Sequence, residues 1–135
     1  MNQNQTQTNE AQIRDLVETW ANAVRDKNME SILMHHAPNI VMFDVPPPLQ
    51  LNGIEAYESS WSRFFPWLSN GGTFDLSDLS VTTGTDVAFC HALIHCGNPR
   101  SSGRKTDLTV RLTVGLKRVD GQWTIFHEHH SEPAE

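Results

Sequence analysis

The stretch Gly121-Gln-Trp-Thr-Ile-Phe-His-Glu-His-His-Ser131 decides the fold class, because it reads as a closing strand that runs from an apolar start to a titratable end. Alternate side chains of a strand share a face, so Trp123, Ile125, His127, His129 and Ser131 are predicted to point one way and Thr124, Phe126, Glu128 and His130 the other. The first set passes from core-forming to polar, as expected where a strand leaves a core and lines a cavity. Histidine exchanges protons near neutral pH, and three of the seven histidines lie here, so the strand's end is the first candidate site.

Outward from this stretch, Asp120-Gly121 is a two-residue hairpin turn that makes Asp107 to Arg118 the partner strand. Pairing Val119 with Gln122 then sets Leu116 opposite Ile125, Val114 opposite His127 and Leu112 opposite His129 on the cavity face. Arg111 and Glu128 fall on the other face, close enough on the diagonal for a charge pair. Phe74 to Thr82 and Val87 to Cys96, joined at Thr85-Asp86, complete a four-strand meander, with a looser loop from Gly97 to Lys105. The Val87 strand is apolar on both sides, as expected if both are covered, and a homodimer through the outer sheet face would cover the second.

The first half reads as helices. Residues 1–9 are polar and without periodicity, so they are predicted to be a disordered lead-in that ends at a cap near Thr8 or Asn9, ahead of a single domain over 10–135. Leu16, Val17, Trp20, Ala21 and Val24 repeat at helical spacing after Ile13. Met29, Ile32, Leu33 and His36 form a shorter helix that Pro38 ends, with His35 and His36 as helix-end residues favoured by the dipole. The β-rich Asn39 to Asp44 is stopped by Pro46, Pro47 and Pro48, which leaves Asp44 at a strand end. After Asn52-Gly53 a third helix carries an aromatic face through Tyr57, Trp61, Phe64 and Phe65. Helices first and a meander last give an α+β fold, a curved antiparallel sheet around the helices with a pocket between them.

Composition narrows the function. A net charge of -6 over 135 residues excludes a nucleic-acid binder that relies on a basic face. No apolar run reaches membrane-spanning length and no signal sequence opens the chain, so a cytoplasmic protein is expected. Cys90 and Cys96 lie about 20 Å apart along one strand and cannot pair, which makes them free, buried thiols.

The element order, with His36-Ala-Pro-Asn-Ile-Val-Met-Phe-Asp44, Asn52-Gly53, Val87-Ala-Phe-Cys-His91 and the closing stretch, resembles the SnoaL-like and ketosteroid-isomerase-like branch of the nuclear transport factor 2 superfold. The resemblance covers nearly the whole chain after residue 9 and implies a cone-shaped sheet around a small-molecule pocket. It sets Asp44 at the position of the isomerase general base. The isomerase's tyrosine donor corresponds to Trp20, and no acid stands near Leu112 and Thr113, so a donor would come from His91, His127, His129 or Tyr57.

Two classes of function follow. One is an enzyme without organic cofactor that moves protons on a small apolar or carbonyl-containing molecule, as an isomerase, cyclase or dehydratase does. Asp44 is then the base and His129 or His91 the acid or oxyanion donor, with Trp20, Tyr57, Trp61, Phe65, His127 and Leu112 around the ligand. The other is a noncatalytic ligand-binding or association domain. The closing His-His-Ser is also similar to the end of iota-class carbonic anhydrases. His127 and His129 with His91 or Asp44 would give three ligands suited to zinc. Hydrogen-bonded neutral imidazoles are the commoner use of such a pair, and no metal is expected.

Overall fold

The computed structural model describes residues 1–98 and 107–134; most of the loop predicted from Gly97 to Lys105 lies outside the described residues. Helix α1 (Gln3–Arg25) is followed by α2 (Met29–Leu33), β1 (His36–Phe43), β2 (Leu51–Asn52), α3 (Ile54–Ser69), β3 (Asp75–Thr83), β4 (Val87–Gly97), β5 (Asp107–Val119) and β6 (Gln122–Ser131). The strands form a six-stranded sheet in the order β2-β1-β6-β5-β4-β3. The α+β reading holds, with one difference in topology: β1 runs parallel to β6, whereas every other neighbouring pair is antiparallel. The parallel pairing is possible because α3 and the β3–β5 meander lie between the two strands in sequence.

Helix α1 begins at Gln3, ahead of the predicted cap. Asn2 supplies the N-cap, its side chain accepting from the Gln5 amide at 2.8 Å. Asn9 is buried, donating to the Gly84 carbonyl and accepting from the Arg118 guanidinium. The first turns are thus tied down by polar contacts that an apolar-periodicity reading passes over. Farther along, Ile13, Val17, Trp20, Ala21 and Val24 supply the buried stripe. His36 opens β1 and does not end α2.

On the sheet, Ala88, Cys90, Ala92, Ile94 and Cys96 of β4 and Val110, Leu112, Val114 and Leu116 of β5 face the helices and form the core with them. The opposite face carries the exposed His91, His95, Thr109, Arg111 and Thr113. Gly53 at φ 93 turns the chain into α3, a conformation that strains any residue with a Cβ, while its amide donates to the Ile40 carbonyl at 2.7 Å. That bond fixes α3 against β1. Among the described residues no helix is long and apolar enough to cross a membrane.

Candidate functional site

The site is set by an irregularity in β6. Asp120 and Gly121 both have positive φ, the signature of the predicted tight turn, and Leu116 pairs with Ile125 as predicted. Beyond that point the register slips: Gly115 pairs with His127, Val114 with Glu128 and Leu112 with His130. One extra residue, Phe126, is accommodated in β6, and a bulge of one residue exchanges the faces of everything after it. Glu128 and His130 therefore face the core, and His127 and His129 face outward.

Burying a carboxylate is costly unless donors surround it. Glu128 is 0% exposed, and three side chains converge on it. His36 Nε2 lies 2.6 Å and the Tyr57 hydroxyl 2.8 Å from Oε2, and His130 Nε2 lies 3.0 Å from Oε1. Tyr57 in turn accepts from the Trp20 indole N–H at 3.0 Å. Burial pushes the Glu128 carboxyl upward, but the hydrogen bonds and charges of His130 and His36 outweigh it and hold the group well below the usual carboxylate range. Burial first, and then the Glu128 charge, push the Tyr57 phenol well up, so it stays a neutral donor.

The carboxylate fixes both histidines. His36 Nδ1 lies 3.0 Å from the Met34 carbonyl, so each of its ring nitrogens faces an acceptor, an arrangement that a doubly protonated imidazolium satisfies. His130 spends Nε2–H on Glu128, which leaves Nδ1 as the nitrogen without a hydrogen-bond partner among the described residues. The His130 ring is braced edge-on by Trp20 and tilted against Trp61.

His130 also lines a cavity of about 410 Å³ between α3, the end of β1 and the sheet. Met42, Ile94, Leu108 and Val110 make its apolar floor, and Trp61, Phe64, Trp67 and Phe74 form an aromatic wall. Polar atoms enter from Ser60, Arg63, Asp44 and His130. Asp44 stands half-buried at the end of β1, where Oδ1 accepts the Val45 amide at 2.8 Å.

A SnoaL-like domain model matches residues 13–135. The chain belongs to the SnoaL-like family. No curated protein sequence matches it. Among solved structures, this SnoaL-like chain is similar to a nuclear transport factor 2-like protein of unknown function from Pseudomonas putida, at 35% identity over 96% of this chain and 89% of the other, with a TM-score of 0.86. A provisionally named ketosteroid isomerase from Shewanella frigidimarina is 20% identical over 87% and 92% of the two chains, with a TM-score of 0.74. A provisionally named dehydratase from Streptomyces avermitilis is 16% identical over 96% and 99%, with a TM-score of 0.75. At those identities the last two show the shared fold alone.

In the SnoaL-like chain the sequence-derived candidates separate into groups. Asp44 and Trp61 line the cavity. Tyr57 and Trp20 face inward but are spent on the Glu128 network. Leu112 is core, 1% exposed, and Phe65 packs half-buried against the core; neither lines the cavity. His91, paired with Thr113, and His129, paired with the same Thr113 from the other side, lie on the outer face, away from the cavity. His127 is outward too, its Nδ1 donating to the Val41 carbonyl at 2.7 Å and its ring against Phe43. The expected Arg111–Glu128 pair does not form, because Glu128 is on the other face and Arg111 donates to Ser131. Glu128, His130, His36 and Arg63 were missed. Gly115 was the available signal, since a lone glycine inside a strand often marks a bulge.

Proposed function

We propose that this SnoaL-like protein binds a small apolar, carbonyl-containing molecule in the cavity and transfers a proton on it without an organic cofactor. His130 moves the proton, Glu128 positions His130, and Asp44 at the mouth is the second proton-exchanging group. The observation that carries this reading is the His130 ring, which reaches the cavity while its Nε2–H is held at 3.0 Å by a fully buried carboxylate. That bond selects the tautomer with a bare Nδ1, the form that accepts a proton. On taking a proton from the carbon next to a carbonyl, His130 becomes an imidazolium beside Glu128, and the electron pair of the broken C–H bond moves to the carbonyl oxygen as an enolate. In a ligand with a C=C bond next to that carbon the product is a dienolate, and return of the proton to its far carbon moves the double bond and isomerises the ligand.

The test is deuterium incorporation from D₂O at the α-carbons of a bicyclic ketone such as 2-tetralone, followed by proton NMR. The protein should accelerate exchange over buffer, and His130→Gln should reduce the acceleration by roughly 10²–10⁴-fold, the usual worth of a general base. Exchange in H130Q equal to that of the parent protein would sink the assignment. Thermal shift against steroids, polyketide-like aromatics and lactones then narrows the ligand.

We also propose that two copies associate through the outer sheet face, where Val87 is 62% and Phe89 48% exposed. Large apolar side chains on an otherwise polar face favour a partner surface. Sedimentation equilibrium should return a dimer mass at micromolar concentration, and a monomer there would refute the association.

A further inference from the structure

We infer that the cavity takes an aromatic carboxylate, with its ring against the α3 aromatics and its carboxylate on Arg63; this rests on the proton-transfer reading of the same cavity. Ser60, Phe64 and Trp67 follow one another at helical spacing along α3 and all line the cavity, and Arg63 shares that stripe. Arg63 stands exposed at the cavity mouth, and among the described residues it makes no ion pair within 4.0 Å.

The carboxylates of Glu128 and Asp44 have other partners. Glu128 already accepts from three donors in the core. Asp44 lines the same cavity without pairing with Arg63, and one of its oxygens is held by the Val45 amide. A guanidinium on a cavity wall with its donors uncommitted suits a planar, bidentate acceptor, which is the geometry of a carboxylate. Because Arg63 is solvent-exposed at the mouth, the ligand's charge would remain partly hydrated and its desolvation cost small.

The rest of the wall selects the body of the ligand. Phe64 stacks on Trp67 with centroids 5.2 Å apart and an interplanar angle of 24°, presenting a flat aromatic surface. A cavity of about 410 Å³ holds a bicyclic ring system. Flat rings pack on such a wall by offset stacking or edge contact.

Isothermal titration calorimetry at pH 7.5 with 2-naphthoate and its neutral isostere 2-naphthamide tests this directly. The acid should bind about 10-fold or more tightly than the amide, as expected of a charge-assisted bidentate contact. Arg63→Gln should bring the two affinities within about twofold by weakening the acid alone, and the unchanged amide affinity serves as the control for an intact cavity. Equal or tighter binding of the amide, a preference that survives R63Q, or binding of neither probe at millimolar concentration would each overturn the inference. None of these readouts uses proton exchange, so the role of His130 stands or falls separately on the H130Q measurement.

Discussion

Glu128→Gln is the most demanding perturbation of this molecule, because a single atom change alters every contact in the buried network. A carboxylate accepts from all three donors, the His36 and His130 imidazoles and the Tyr57 hydroxyl. The amide replaces one acceptor oxygen with a donor, so a histidine must switch tautomer or a donor meets another donor, and the charge beside His36 is gone. Removing one partner of a buried, hydrogen-bonded pair costs about 3–5 kcal/mol. Against a total stability of about 5–15 kcal/mol, that is a large share, and the urea midpoint should fall by roughly 2 M for a slope of about 2 kcal/mol/M.

The acid limb gives an independent reading of the same group. The folded Glu128 carboxyl sits lower, at about 2, than an unfolded one near about 4.3, so the unfolded chain takes up the proton first. Its contribution to stability is therefore complete above about pH 4.3 and is lost as pH falls toward about 2. Urea melts followed by tryptophan fluorescence between pH 7 and pH 2.5 should show this loss in the parent protein and a shallower acid limb in E128Q. A variant within about 1 kcal/mol of the parent at pH 7, with an unaltered acid limb, would show that the buried charge does not hold the network together. If E128Q does not refold, Tyr57→Phe removes the hydrogen bond to the charge together with the acceptor of the Trp20 indole N–H and should cost at least about 1.5–3 kcal/mol in the same assay.

Burial pushes the Cys90 thiol up to about 12 and the Cys96 thiol to about 11. Iodoacetamide at pH 8 should leave both unmodified in the folded protein and alkylate both in guanidinium, as read by intact mass; rapid labelling of the native state would contradict the packing. Gly72→Ala drives a Cβ into two Trp67 ring carbons, so the cavity wall must shift at a cost of about 1–3 kcal/mol. Its melting temperature and tryptophan emission should both move, and a silent substitution would show that Trp67 is free to yield. Asn9→Ala removes the bonds to Arg118 and Gly84 and should cost about 1–2 kcal/mol in urea, whereas a frayed lead-in would tolerate it.

Helix α1, α3 and the strands of the meander were legible because each follows one clear rule, a stripe at helical spacing or an apolar run closed by a turn signal. Asp120-Gly121 even gave the correct first pairs of the β5–β6 hairpin. The facing of β6 was misread for a local reason: alternation beyond Ile125 holds only if no residue is inserted, and Phe126 and His127 are both half-buried where the register shifts. The convergence of Trp20, His36, Tyr57 and Glu128 depends on tertiary contacts separated by up to 92 positions, which no local spacing encodes. The ordered start of α1 was missed because polar bonds from Asn2 and Asn9 replace the apolar contacts that periodicity detects. The two-residue β2 is too short to leave a pattern.

The parallel pairing of β1 with β6 has a consequence for how the molecule is made. Among the described residues β6 follows every other strand in sequence, yet it lies between β1 and β5 near the middle of the sheet. Until it arrives, β1 has only the two residues of β2 for an edge partner, and His36, Tyr57 and Trp20 have no carboxylate to organise them. A chain in which β6 is not yet docked therefore leaves β1 and β5 as open sheet edges, a state exposed to aggregation. Docking of β6 closes the sheet and brings Glu128 and His130 to their partners in one step, so removal of this strand with every helix intact would leave β1 and β5 unpaired and the cavity without His130.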